Sequence, residues 1–186
     1  MIKRIAIILS VLSIIFAFSS CAKDNSALIG ELPSLIEEGR ELLDIVYGEG
    51  LETDSTRAES AKRGYEAVSE KEEYQSRQQL EDALKKVFSE SYVIVLYNTA
   101  LNNISYDPST LYPRYIEKNG ILYADTTYES QIAKRTPKIE TIKITDSNRF
   151  MAEFEMTMVY EDGKEEVDTF LVVKEDGKWK LDSAVL

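Results

Sequence analysis

The chain has 186 residues, 22 Lys plus Arg against 33 Asp plus Glu, no His and one Cys. This length is a prior for one domain, and 44% hydrophobic with 30% charged residues excludes a disordered or low-complexity chain. The absence of His excludes Ser-His-Asp and Cys-His relays and every His-ligated metal site, and a net charge of −11 argues against nucleic acid as a partner.

Residues 1–20 read as a lipoprotein signal peptide. Lys3 and Arg4 form a positive start, and Ile5 to Phe18 is apolar apart from Ser10 and Ser13. That run is shorter than the roughly 20 residues a spanning helix needs. Phe18-Ser19-Ser20-Cys21 resembles a bacterial lipobox, with Phe where Leu is commoner, so Cys21 is expected to be the cleaved, acylated N-terminus in a lipid bilayer. Several acyl chains on one residue anchor a protein stably where one does not. The mature chain then lies outside the cytoplasmic membrane. It loses two basic residues and no acid, which leaves a charge of −13.

Residues 21–27 read as a tether, and 28–186 as a single α+β domain with a helical part (28–100) and a sheet part (101–186). Leu28, Leu32, Leu35, Ile36, Leu42, Leu43 and Val46 recur at helical steps. Pro33 and the pair Ser34/Glu37 suggest that the regular helix starts there, with a capping box. Gly48 and Gly50 stop it. Residues 49–75 are polar and read as a loop or weak helix, with one short strand near Tyr65–Val68. Ser76 and Gln79 match a second capping box, ahead of the stripe Leu80, Ala83, Leu84, Val87 and Phe88. Ser89-Glu90-Ser91 breaks that helix before the apolar run Tyr92–Tyr97. Periodicity cannot decide between buried helix and strand there, but the lack of Gly and Pro from Ser76 to Ala100 favours helix.

Past residue 101 the signals are those of strands. Asn119-Gly120 joins Tyr115–Lys118 to Ile121–Ala124 as a hairpin, and Ile139–Ile144 is β-branched. Phe150, Ala152, Phe154, Met156, Met158 and Tyr160 alternate with Met151, Glu153, Glu155, Thr157 and Val159, the period of a half-buried strand. Asp162-Gly163 and Asp176-Gly177 then turn the chain twice more, giving an antiparallel meander beneath the N-terminal helices, laid out like a cystatin/NTF2-like roll.

Catalytic signals are thin. Glu153 and Glu155 share a strand face at about 6–7 Å, the pleat repeat, but alternating acids on a wet face ordinarily serve solvation. Asp168 is the nearest candidate for the isolated base of an isomerase-like roll. No Asp-rich loop has EF-hand spacing, so no metal and no cofactor is expected. Tyr106, Tyr112, Tyr115, Tyr123 and Tyr128 crowd a short segment, as strand packing or as interface anchors.

Three stretches, Gln79 to Ser89, Tyr115 to Tyr123 and Val173 to Leu181, together resemble the IseA family. Its members are secreted inhibitors of NlpC/P60-type DL-endopeptidases, the cell-wall hydrolases that cut peptidoglycan stems. The resemblance spans roughly residues 30–186, and the lipobox departs from the freely secreted members. The resemblance implies a non-enzymatic inhibitor with such a hydrolase as partner, and the lipobox would place it on the membrane. The alternative is an NTF2-like domain that binds or converts a small molecule. The expected partner-binding element is the Asn119-Gly120 hairpin with Tyr112, Tyr115, Glu117 and Tyr123.

Overall fold

A computed structural model describes residues 25–58, 64–102 and 113–186. Cys21 and the signal segment, Tyr106 and Tyr112 lie outside the described residues. The fold is α+β, with helices α1 (Ser26–Tyr47), α2 (Arg77–Val87) and α3 (Glu90–Tyr97), the last continued by a π-helical turn Asn98–Asn102. Among the described residues, eight strands form two antiparallel sheets. Strands β1 (Thr53–Ala58), β2 (Tyr65–Val68), β3 (Tyr115–Lys118) and β4 (Ile121–Asp125) make one, in the order β1-β2-β4-β3. Strands β5 (Arg135–Ser147), β6 (Met151–Tyr160), β7 (Glu165–Glu175) and β8 (Lys178–Leu181) make the other, a meander in sequence order.

The helical part is therefore not purely helical. The expected strand near Tyr65–Val68 is β2, and an unexpected partner, β1, pairs with it. β2 in turn pairs with β4, so the Asn119-Gly120 hairpin belongs to this first sheet and not to the meander. α1 also starts earlier than the motif at Ser34 suggests. Ser26 and Ala27 are already helical, which removes them from the tether, and Pro33 sits inside the helix. Ser34 then has no helix start to cap, and its hydroxyl faces Glu38 at 3.4 Å. Leu28 (2% exposed) and Leu32 (0%) explain the difference, because their burial requires the turn before the proline.

α1 lies across the meander and packs on both outer strands, β5 and β8, as well as on α2. Its close approach to β8 depends on Gly39, where an added Cβ would stand 2.3 Å from Leu181 Cδ1. Arg40 fastens the same helix by donating to the carbonyls of Val185 (3.1 Å) and Arg135 (2.7 Å). The meander's covered face carries Ala152, Phe154, Met156 and Met158 of β6, all buried as the period-two pattern requires. Phe150 stands just before β6 and is exposed. β5 has two irregularities, and at the first the Thr141 hydroxyl accepts from Thr157 N at 2.9 Å, replacing a ladder partner. Pro137 is tolerated in β5 because this strand is the sheet's edge.

The capping box at the start of α2 is present. Ser76 Oγ accepts from Gln79 N and the Gln79 side chain accepts from Ser76 N. Ser89 caps α3, so Tyr92–Tyr97 is helix. One hydrophobic core runs through α1, α2, α3 and both sheets. Among the described residues no helix is long and apolar enough to cross a membrane.

Candidate functional site

The hairpin has the turn its sequence demands: Asn119 (φ 54°) and Gly120 (φ 76°) both adopt positive φ, and its tip is exposed. Its side chains are placed differently from the expectation. Tyr115 is 0% exposed, a core residue whose hydroxyl donates to Ile45 O (2.9 Å) and accepts from Leu51 N (3.1 Å). Glu117 accepts from Arg77 N (2.9 Å), a backbone donor in the first turn of α2. Tyr123 is half-buried, opposite Ile116 and Ala67. β3 is thus a sheet edge held down by α2 and the core. Of the six expected partner-binding residues, Glu117, Asn119 and Gly120 are exposed, Tyr115 is buried, Tyr123 is half-buried, and Tyr112 lies outside the described residues.

The acids considered for catalysis are dispersed. Asp168 is ion-paired with Arg135 Nη1 at 2.6 Å and is not the isolated base of a cone. Glu153 is exposed and accepts from Thr145 Oγ1 at 3.0 Å, while Glu155 beside it is half-buried. No group of three or more Cys, Asp or Glu among the described residues is arranged to hold a metal ion.

The feature that sequence reading missed is a groove of about 430 Å³ between α2, α3 and the β7–β8 turn. Its floor is Phe88, Val93 and Tyr97, and its lip is Ile94. Ile94 is 58% exposed and Val95 next to it 50%, a pair of large aliphatic side chains left in water on one short helix. The rim carries Glu81, Glu90, Glu175 and Asp176 against Lys85 and Lys180, a local charge of −2. The lysines are engaged by Glu81 (2.5 Å) and Glu175 (3.2 Å), which also accepts from Glu90 N.

The groove is held rigidly. Ser89 (0% exposed) accepts from Tyr92 N, donates through Oγ to Asp182, and through its backbone N to Leu181 O (2.8 Å). Ser91 Oγ donates to the same Asp182 carboxylate at 2.8 Å. These contacts tie the N-terminus of α3 to the end of β8 across more than 90 residues of chain. On the other side of α2 lies a polar cleft lined by Glu38, Glu41, Glu73 and Asp82, with Lys86 paired to Glu38 at 3.2 Å. Burial, followed by Glu73, Glu41 and Glu38, raises the pKa of the Tyr74 hydroxyl at this cleft. α2 therefore separates an apolar, acid-rimmed groove from an acidic cleft.

No family model matches the chain, and no match is found among curated proteins.

Proposed function

We propose that the chain is an extracytoplasmic lipoprotein, held in the membrane by acylated Cys21, that inhibits a peptidoglycan DL-endopeptidase of the NlpC/P60 type and catalyses no reaction of its own. The observation that carries this reading is the acid-rimmed groove with Ile94 and Val95 exposed beside it. An interface core is apolar and its rim polar, and a few large side chains supply most of the binding energy. A hydrolase that works on an anionic wall polymer gains from a basic surface, and a chain at −13 with an acidic rim complements it. The lipobox at Phe18–Cys21 and the three stretches similar to the IseA family support location and partner class. This reading moves the contact surface from the Asn119-Gly120 hairpin to α3.

The test is a titration of the full chain into DL-endopeptidase digests of purified peptidoglycan, across several enzymes. Wild type should inhibit, and Ile94→Asp should weaken inhibition by ten-fold or more, on the order of a hot-spot truncation. Asn119→Ala should leave it unchanged. No inhibition of any enzyme by folded wild type defeats the reading, and inhibition indifferent to Ile94→Asp defeats the surface. Separately, Cys21→Ser should release the protein from membranes or leave it uncleaved.

A further inference from the structure

Between the loop at Gly48–Leu51 and the end of β4 lies a second cavity, of about 240 Å³. Arg114 lines it. This residue is 4% exposed, and its guanidinium stacks 4.2 Å from the Tyr128 ring centroid and 5.7 Å from that of Tyr115. Nη2 donates to Gly48 O at 2.7 Å. Gly50, at φ +85°, leaves room for it, since a Cβ there would stand 2.3 Å from Nη2. Nη1 makes no hydrogen bond of acceptable geometry, and neither does the buried Tyr128 hydroxyl, although the guanidinium lies beside the phenol and opposes the rise in its pKa. None of the ion pairs among the described residues includes Arg114.

A buried guanidinium without an anion is costly, and buried polar groups almost always have hydrogen bonds. Two orphaned groups beside one cavity call for acceptor oxygens from outside the chain. Burial raises the pKa of Tyr128, with Arg114 opposing, so the phenol keeps its proton at neutral pH and can donate. A carboxylate has two oxygens, one for each donor. The cavity is also lined by Glu49, Glu52 and Asp125, which would repel a bare anion. Asp125 is already engaged, its Oδ1 accepting from Thr127 N (2.9 Å) and Oγ1 (2.6 Å). Glu49 and Glu52 are exposed and remain for a cation carried by the same ligand.

We propose that this cavity binds a small zwitterion of the α-amino-acid type, its carboxylate on Arg114 Nη1 and Tyr128 Oη and its ammonium toward Glu49 and Glu52. The proposal does not depend on the inhibitor reading. It assigns a ligand site on the first sheet, remote in sequence from the α3 groove.

The experiment is calorimetric titration of the full chain in detergent micelles with glycine, L-alanine, D-alanine, acetate and methylamine, with melting temperatures read in parallel. An amino acid should bind and raise the melting temperature, while acetate and methylamine bind more weakly. Arg114 is part of the core, so the decisive variant is Tyr128→Phe, which removes only the unpartnered hydroxyl. Without ligand it should melt at or above the wild-type temperature, and its affinity for the amino acid should fall about ten-fold, the worth of one hydrogen bond. Glu49→Gln with Glu52→Gln should narrow the gap between amino acid and acetate. Absence of binding by all three amino acids at millimolar concentration overturns the site. Acetate binding as tightly as alanine overturns the zwitterion. A Tyr128→Phe protein that melts lower without ligand yet binds equally well makes the hydroxyl structural, and that too overturns the assignment.

Discussion

Tyr92 packs tilted against Phe88 with ring centroids 5.5 Å apart, and its phenol is pushed up to about 12. Desolvation is the main cause, and Tyr47 and Asp182 act in the same direction. The unfolded chain releases this proton near 10, so the folded state holds more protons above that pH. Stability from Tyr92 is therefore complete below pH 10 and is lost as pH rises toward about 12. Tyr115 and Tyr128, also raised chiefly by burial, add to the same slope. Urea midpoints measured across this window should fall with pH, and Tyr92→Phe should make the fall shallower. A midpoint independent of pH would contradict the burial of these phenols. The β6 register gives a sharper comparison at the same scale. Met156 is 1% exposed and Thr157, on the other face, half-buried. Met156→Asp should cost several kcal/mol, about 3–5, because a lone carboxylate enters the core. Thr157→Asp should cost far less, and equal losses of melting temperature would reverse the assigned faces.

At the scale of elements, α1 carries a proline in its interior, and its neighbours suggest what that costs. Pro33 cannot donate to the carbonyl of Ile29 and crowds it, a penalty of up to about 3 kcal/mol in a helix interior. Packing of Leu28, Leu32 and Ile36 outweighs it. Pro33→Ala should then stabilise the protein by about 1–3 kcal/mol, read by chemical denaturation, and a loss of stability would mean that the helix is built around a kink. The same helix shows where sequence reading failed. Ser34 and Glu37 satisfy a local capping pattern, but the burial that decides the helix start lies in β5, β8 and α2. β1 was hidden for a related reason: Thr-Asp-Ser-Thr-Arg-Ala has no apolar alternation, and its strand exists because β2 offers a free edge. The hairpins were legible because Asn119-Gly120 and Asp176-Gly177 take up positive φ at both turn residues, which few other residue pairs accept. The fate of Tyr115 was not legible. Period two in a four-residue strand says that sides alternate without saying which side meets the core.

For the whole molecule, the groove joins residues near 90 to residues near 175, and the Phe88–Leu181 bridge together with the hydrogen bonds of Ser89 and Ser91 to Asp182 and of Glu90 N to Glu175 holds them together. No spacing in the chain could announce it. Net charge, by contrast, was legible from the start, and it makes the last prediction. A partner attracted by a body with a net charge of −11 and an acidic rim should be steered in before contact, so charge acts on the association rate and the apolar contact on dissociation. Screening shortens to about 8 Å near 0.15 M salt. With a DL-endopeptidase that the protein inhibits, stopped-flow association should slow as salt is raised, with dissociation nearly constant. Glu90 and Asp176 are exposed and lie on the rim, so Glu90→Lys with Asp176→Asn, a residue that accepts the positive φ of the turn, alters steering without touching the floor. That double variant should associate more slowly, on the order of ten-fold at low salt, and show a flatter salt dependence. Ile94→Asp should instead raise the dissociation rate, because the side chain that loses its apolar contact sits at the lip. If these charge changes altered dissociation alone, or if salt left association untouched, the acidic rim would have no part in recognition and the groove would have to bind by apolar contact only.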